Sequence, residues 1–350
     1  MNRGGESGSD DTATAEKTDD TGSADEPTPP RRRRRRWLWI SLGTVTALLL
    51  LAGAAAAWAY WRTDQALSSI DRIPDALPTL PEVSQPPRVE GDALVYLLVG
   101  VDNAETPDSG QPWQPGEARS DTMMLLQIAA DRRSAWLVSL PRDTWVEIPD
   151  HGEAKLNAAY SWGGPPLMIQ TIQDLTDIRI DHLAVIDWSG FRALTDAVGG
   201  VMIDGERLDG RAALDYVRER KSLAEGDLDR TRRQQNFLRS LLNETLSTGT
   251  LTDPGRLNGL LDTVGDVISV DDRLSNGDLR SLAWDLRSLR GSDVHYMNAP
   301  VAGTTMIDGQ SVVLLDEEAA APLWEAMRTD SMPTFTTSDE APAQLGPDVR

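Results

Sequence analysis

The stretch Ala-Leu-Val-Tyr-Leu-Leu-Val-Gly-Val-Asp (93–102) decides the reading of this chain. A dense apolar run closed by Gly100, Val101 and Asp102 has the length and composition of a buried strand. Two further strands are expected at Asp121–Ala129 and Ser134–Leu140, joined as a hairpin through residues 130–133. The intervening residues 104–118 are rich in Pro, Gly and acids and read as a loop.

Beyond the hairpin the period changes. Pro165 and Pro166 open a helix running to about Thr176, because proline is tolerated in a first turn. A strand over Leu183–Asp187 leads into a helix that closes at Gly199-Gly200. Asp209 is placed to cap a helix over 210–220, and Asp227 or Asp229 to cap another ending near Ser247. On that last helix Arg230, Arg233 and Gln234 share a face with Phe237, Leu238, Leu241 and Leu242. Helices near 253–267 and 275–290, a strand near 294–300 and a strand–helix unit at 311–328 complete the pattern. This mixture predicts an α/β (α+β) sandwich over residues 93–330, with a central mixed β-sheet flanked by helices. Residues 331–350 are expected to be a disordered tail.

The N-terminal side reads quite differently. Residues 1–30 carry eight acids against Arg3 and Lys17, with no apolar periodicity, as a disordered segment would. Six arginines follow at 31–36, then 25 uncharged residues from Trp37 to Trp61. As a helix that run would extend about 37 Å against a hydrocarbon core of about 30 Å. Trp37 and Trp39 at one end, and Trp58, Tyr60 and Trp61 at the other, suit the two interfaces. The arginines place residues 1–36 in the cytoplasm, so the sequence predicts a single-pass cell-membrane protein with its large domain outside. Residues 62–92, with five prolines, read as a stalk.

Composition narrows the chemistry. The chain has no Cys, which removes disulfides, thiol nucleophiles and thiolate metal sites, and its three His are scattered. The net charge of -21 falls wholly beyond residue 36 and disfavours nucleic acid as a partner. Residues 211–240 reverse the sign, with eight cations against five acids. Two readings fit that stripe: a clamp for a compact anion, since guanidinium forks match phosphate oxygens, or a solvated helix laced with ion pairs. Asp102 and Asp121 at strand ends similarly suit either an octahedral Mg²⁺ or ordinary turns. Arg142-Asp143 after the third strand is equally open.

Taken in order, several segments resemble the LytR-CpsA-Psr family of cell-envelope transferases. They are Leu-Leu-Val-Gly-Val-Asp (97–102), Arg-Ser-Asp-Thr-Met (119–123), Ser-Leu-Pro-Arg-Asp-Thr (139–144) and Lys-Leu-Asn-Ala-Ala-Tyr (155–160). Asp-His-Leu-Ala-Val-Ile-Asp (181–187), Leu-Asp-Gly-Arg-Ala-Ala-Leu-Asp-Tyr-Val-Arg-Glu-Arg (208–220) and Asp-x-x-Arg-x-x-Arg-Gln-Gln (227–235) follow. The resemblance implies a polyprenyl-pyrophosphate glycan as ligand, its tail in an apolar tunnel between sheet and helices. It implies that Arg119, Arg142, Lys155, Arg218 and Arg220 bind the pyrophosphate, and that Asp102 and Asp121 serve Mg²⁺. Asp143, Asp227, Arg230 and Gln234 would complete the polar lining, with Asp227, Arg230 and Gln234 joining Arg142, Arg218 and Arg220 in catalysis. The implied reaction moves a glycopolymer phosphate onto a peptidoglycan hydroxyl. A pyrophosphatase using the same site, and a non-catalytic envelope-binding or regulatory protein, are the alternatives.

Overall fold

The computed structural model describes residues 50, 53–54, 57–58, 60–79, 85–89, 91–101, 120–218, 227–245 and 253–344, without the side chains of 227–231, 254 and 257. The expected tail at 1–36, the loop at 104–118 and most of the 37–61 run lie outside the described residues. Among the described residues no helix is long and apolar enough to cross a membrane. The chain divides after Trp58, and the unit from Ala59 onward carries the fold described below.

A mixed seven-stranded sheet forms its centre, in the order β1-β10-β7-β2-β3-β4-β11. The strands are β1 (Asp71–Ile73), β2 (Leu94–Val101), β3 (Ser120–Ile128), β4 (Ala135–Leu140), β7 (His182–Asp187), β10 (Ile268–Asp271) and β11 (Val294–Asn298). β2 and β3, and β3 and β4, pair antiparallel; β2 and β7, and β4 and β11, pair parallel. Every residue of β4 is buried, as befits a strand covered on both faces.

Strand alternation assigns the two faces. Val95, Leu97 and Val99 of β2, with Leu125, Trp136 and Val138, pack with Met168, Ile169 and Ile172 of α1 (Leu156–Thr176). Leu323 and Met327 of α7 (Glu317–Arg328) join the same cluster. The opposite face presents Tyr96, Met124, Leu137 and Tyr296. Over it lie α2 (Trp188–Ala197), α3 (Gly210–Arg218), α4 (Asp227–Thr245), α5 (Pro254–Val267) and α6 (Asn276–Asp285). The expected sandwich is therefore three layers deep, helices over sheet over helices.

Local chemistry sets the helix ends. The Asp187 carboxylate accepts from the Gly190 N–H at 2.6 Å, starting α2 directly at the end of β7. Asp209 accepts from the Ala212 N–H at 2.8 Å and starts α3 as anticipated. Gly210 is required there, because a Cβ would fall 2.3 Å from the Arg192 carbonyl oxygen.

Three boundaries are corrected. The helix expected from Pro165 to Thr176 is present, but a further helical stretch from Leu156 precedes it, the two meeting at Gly164, whose φ of +64° is not helical. The 62–92 segment is not a stalk set apart from the domain. Ala66, Ile70, Ala76, Leu77 and Val89 are buried, and β1 pairs parallel with β10 at the sheet edge. The prolines there punctuate a segment whose apolar residues belong to the core. Likewise the tail expected to be disordered from 331 forms α8 (Met332–Phe335), with Met332 and Phe335 buried. Further on, the His295 ring Nδ1 lies 3.2 Å from the Gln344 side-chain oxygen. Three two-stranded ribbons complete the fold: β5 (Trp145–Ile148) with β6 (Gly152–Lys155), β8 (Val201–Ile203) with β9 (Glu206–Leu208), and β12 (Val301–Ile307) with β13 (Gln310–Leu315).

Candidate active site

One end of the sheet gathers the charged residues. Register places Gly100 opposite Thr122 and Val101 beside Asp187, so β2 and β7 end where β3 begins. Asp121 opens β3 there, and Arg142 follows the end of the neighbouring β4. The turn carrying Arg142 is tightly held: the Thr144 N–H and hydroxyl both donate to the Pro141 carbonyl, at 3.1 and 2.7 Å. The Asn157 N–H donates to the Arg142 carbonyl at 3.0 Å, tying the turn to the start of α1.

On this frame stands a compact charge cluster. The Arg142 guanidinium donates to the Asp121 carboxylate, and its Nε lies 3.6 Å from Asp143 Oδ2. Lys155 Nζ reaches Asp143 Oδ1 at 3.1 Å from the end of β6. All four side chains are mostly buried. Among the described residues two cations and two carboxylates meet in one spot, where an arriving anion could draw on the cations. Among the described residues no set of three or more His, Asp or Glu side chains converges as a metal cage. Carboxylates such as Asp121, with no His or Cys nearby among the described residues, are the oxygen donors that Mg²⁺ takes together with waters and substrate phosphates.

Between the face of the sheet that carries Tyr96 and Met124 and the helices over it lies an apolar cavity of about 280 Å³. Its walls come from β2 and β3 (Leu98, Thr122, Met124), β7 (Ala184) and α2 and α4 (Phe191, Phe237, Leu241). Gly100, Thr122 and Asp187 line it too, and all three lie at the sheet end where Asp121 and Arg142 stand. Gln234, 7% exposed, adds a polar side chain to these mostly apolar walls.

Arg218, at the end of α3, lies over the ring of Trp188, with its guanidinium carbon 5.2 Å from the ring centroid. Trp188 itself lines the cavity, so the arginine packs on a residue of the cavity wall. Arg233 sits similarly over Tyr216 at 4.9 Å. Burial raises the pKa of the Tyr216 phenol, which stays protonated at neutral pH.

Of the residues expected at the site, Arg142, Asp143, Lys155 and Asp121 meet directly, Gln234 lines the cavity, and Arg218 packs on Trp188, which lines it. Asp102, Arg119 and Arg220 lie outside the described residues. Asp227 and Arg230 belong to the first turns of α4, but their side chains also fall outside them. Sequence reasoning missed Trp188 and Phe191; their place just after the β7 strand was the available signal. It also missed Gln235, whose side-chain amide donates to Ser139 Oγ (2.5 Å) and the Met297 carbonyl (2.8 Å). Gln235 pins α4 to β4 and β11 while its neighbour Gln234 turns into the cavity.

The family model for the LytR_cpsA_psr family matches residues 65–207 and 205–329. The chain belongs to this family. It is 33% identical over 279 residues to the cell wall biosynthesis protein LcpA of Corynebacterium glutamicum, covering 66% of this chain and 53% of LcpA. It thus spans about half the length of that relative. It is 32% identical over 250 residues to TagU of Oceanobacillus iheyensis, covering 65% of this chain and 73% of TagU. That relative is named polyisoprenyl-teichoic acid–peptidoglycan teichoic acid transferase. The fold is similar to that of YwtF (TagT) from Bacillus subtilis, solved with bound octaprenyl pyrophosphate lipid. That likeness has a TM-score of 0.50 and 22% identity, covering 67% of this chain and 89% of the other.

Proposed function

We propose that this protein transfers a glycopolymer phosphate from a polyprenyl-pyrophosphate carrier to a hydroxyl group of peptidoglycan. The observation that carries this reading is an apolar cavity whose lining residues Gly100, Thr122 and Asp187 lie at the same sheet end as the mostly buried charge cluster of Arg142, Lys155, Asp121 and Asp143. A ligand with a long hydrocarbon tail and a compact pyrophosphate has that same division of character. In the reaction the acceptor oxygen bonds to the glycan-bearing phosphorus, and the phosphoanhydride bond to polyprenyl phosphate breaks. The hydroxyl proton is released to solvent. Negative charge grows on the departing phosphate, and Arg142, Lys155 and Arg218 stabilise it. Asp121, with Asp102, would hold Mg²⁺, which would supply further positive charge to the phosphates.

The relatives named for cell wall biosynthesis and teichoic acid transfer support this assignment, and the lipid bound to YwtF supports the choice of carrier. In this reading residues 37–61 anchor the chain in the cell membrane, residues 1–36 stay in the cytoplasm and the domain works outside. Protease added to intact cells should then degrade the domain and spare the N-terminal segment.

Incubating the purified chain with a polyprenyl-pyrophosphate glycan, with and without peptidoglycan, tests the activity. Glycan joined to peptidoglycan supports transfer. Free phosphorylated glycan in equal yield with or without acceptor would make the protein a pyrophosphatase. Binding without turnover would make it non-catalytic.

A further inference from the structure

The helical segment at 60–68, which the chain enters directly from the apolar 37–61 run, is clamped to α6 by polar contacts. Asn276 Nδ2 donates to Ser68 Oγ at 3.0 Å. One turn further along α6, Arg280 pairs with Asp64 and donates to the Tyr60 hydroxyl at 3.0 Å, its guanidinium lying 4.9 Å from the Tyr60 ring centroid. Arg62 adds a 2.6 Å ion pair to Asp262 on α5. The contacts step backward along 60–68 as they step forward along α6, so the two segments run antiparallel. The next turn of α6, carrying Trp284, therefore extends past Tyr60, toward the point where the chain enters the domain.

Trp284 is 67% exposed, among the most exposed large apolar side chains described. The Arg287 guanidinium lies 4.3 Å from its ring centroid, and Arg287 also donates to the Trp284 carbonyl at 2.6 Å. Residues 276–290 carry Arg280, Arg287 and Arg290 against Asp278 and Asp285, a local positive balance in a chain of net charge -21. Tyr60 and Trp61, 60% and 58% exposed, stand at the same end of the clamp. An indole beside a guanidinium is suited to the lipid headgroup layer, where the ring meets acyl carbon and the cation meets phosphate.

We propose that Trp284 and Arg287 form a second membrane contact, seated in the phospholipid headgroup layer beside the point where the chain leaves the bilayer. The inference rests on the anchoring of residues 37–61 proposed above. Anchor and contact together would give the domain a fixed attitude on the membrane, where a bare tether would let it tumble.

The absence of cysteine provides the test. The full chain, with a single Cys at position 284, 58 or 306, is spin-labelled and reconstituted into nanodiscs of anionic phospholipid. Met306 is the control, exposed on the β12–β13 hairpin; β13 bridges Thr144, on the side of the sheet away from β1 and β10. Relative to position 306, labels at 58 and 284 should both show a severalfold rise in the ratio of oxygen to aqueous nickel-complex accessibility. Arg287→Glu in the W284C background should lower that ratio at 284. A lipid-exposed label at 58 with an aqueous label at 284 would overturn this contact and leave the anchor standing. Aqueous labels at both positions would overturn the anchor, and this contact with it.

Discussion

The guanidinium of Arg142 donates to the carboxylate of Asp121, across the gap between the end of one strand and the start of its neighbour. The pair joins the residue proposed to grip pyrophosphate to the residue proposed to hold metal. Either ligand alone would disturb this pair; both together would replace it.

Binding of Mg²⁺ and of a polyprenyl pyrophosphate should therefore be coupled, each tightening the other by the same factor. Asp121→Asn keeps the shape and removes the charge, so it should abolish this coupling while the apolar part of lipid binding persists. Calorimetric titration of each ligand in the presence of the other measures it. Undiminished coupling in the variant would remove Asp121 from the metal site.

Arg218 contacts the Trp188 ring, and among the described residues it makes no ion pair that shortening it would break. Arg218→Ala should cost less than about 0.5 kcal/mol of stability. Transfer should fall by ~10²-fold or more, the scale seen when one preorganised transition-state donor is lost. Thermal melting alongside product formation separates the two. A parallel loss of both would mark Arg218 as a structural cation.

Leu241 lines the cavity from α4 and is only partly buried. Leu241→Trp should fill part of the 280 Å³ space without disturbing the sheet. Affinity for a long polyprenyl phosphate should then drop at least about tenfold, roughly 1.4 kcal/mol. Binding of inorganic pyrophosphate should be unchanged. Equal affinity for the long lipid would place its tail elsewhere.

Ending the chain after Asp330 removes Met332 and Phe335 from the core. Fully burying such a side chain contributes about 1.5–3 kcal/mol, an upper estimate since the unfolded chain is already partly compact. A loss of about 2–5 kcal/mol on that basis should appear as a lower urea midpoint. An unchanged midpoint would show that α8 is dispensable.

The sequence disclosed the parts of this fold that repeat a strong local period. The 93–101 run, the 121–140 hairpin and the cap at Asp209 all stand where pattern and capping chemistry put them. What escaped was short or decided at a distance. β1 spans Asp71–Ile73 only and is a strand because Ser269–Asp271 lies beside it, a partner that no local window contains. The prolines around it masked apolar residues that bury, and Met332 and Phe335 were too sparse to form a period. At the site, motif order brought Arg142, Asp143, Lys155 and Asp121 to notice, and the structure joins them. Trp188 went unnoticed because an aromatic residue after a strand has many uses, and only its place under Arg218 gives it this one.

The pairing of β1 with β10 also bears on how the domain forms. The two strands come from near opposite ends of the domain, and β11 likewise reaches back to β4 across most of it. Such long-range pairing makes folding slow, since large loops must close before the contacts that reward closure exist. If the chain beyond the anchor is exported in order while residues 1–36 stay in the cytoplasm, residues 71–73 emerge early and wait until residues 268–271 follow. Until then β7 lacks its neighbour and offers an open edge, which is prone to mispairing. The clamp of Arg62 and Asp64 onto α5 and α6 can close only at that late stage. Completion of the sheet and fixing of the membrane-proximal segment are thus a single late event in the protein's biogenesis.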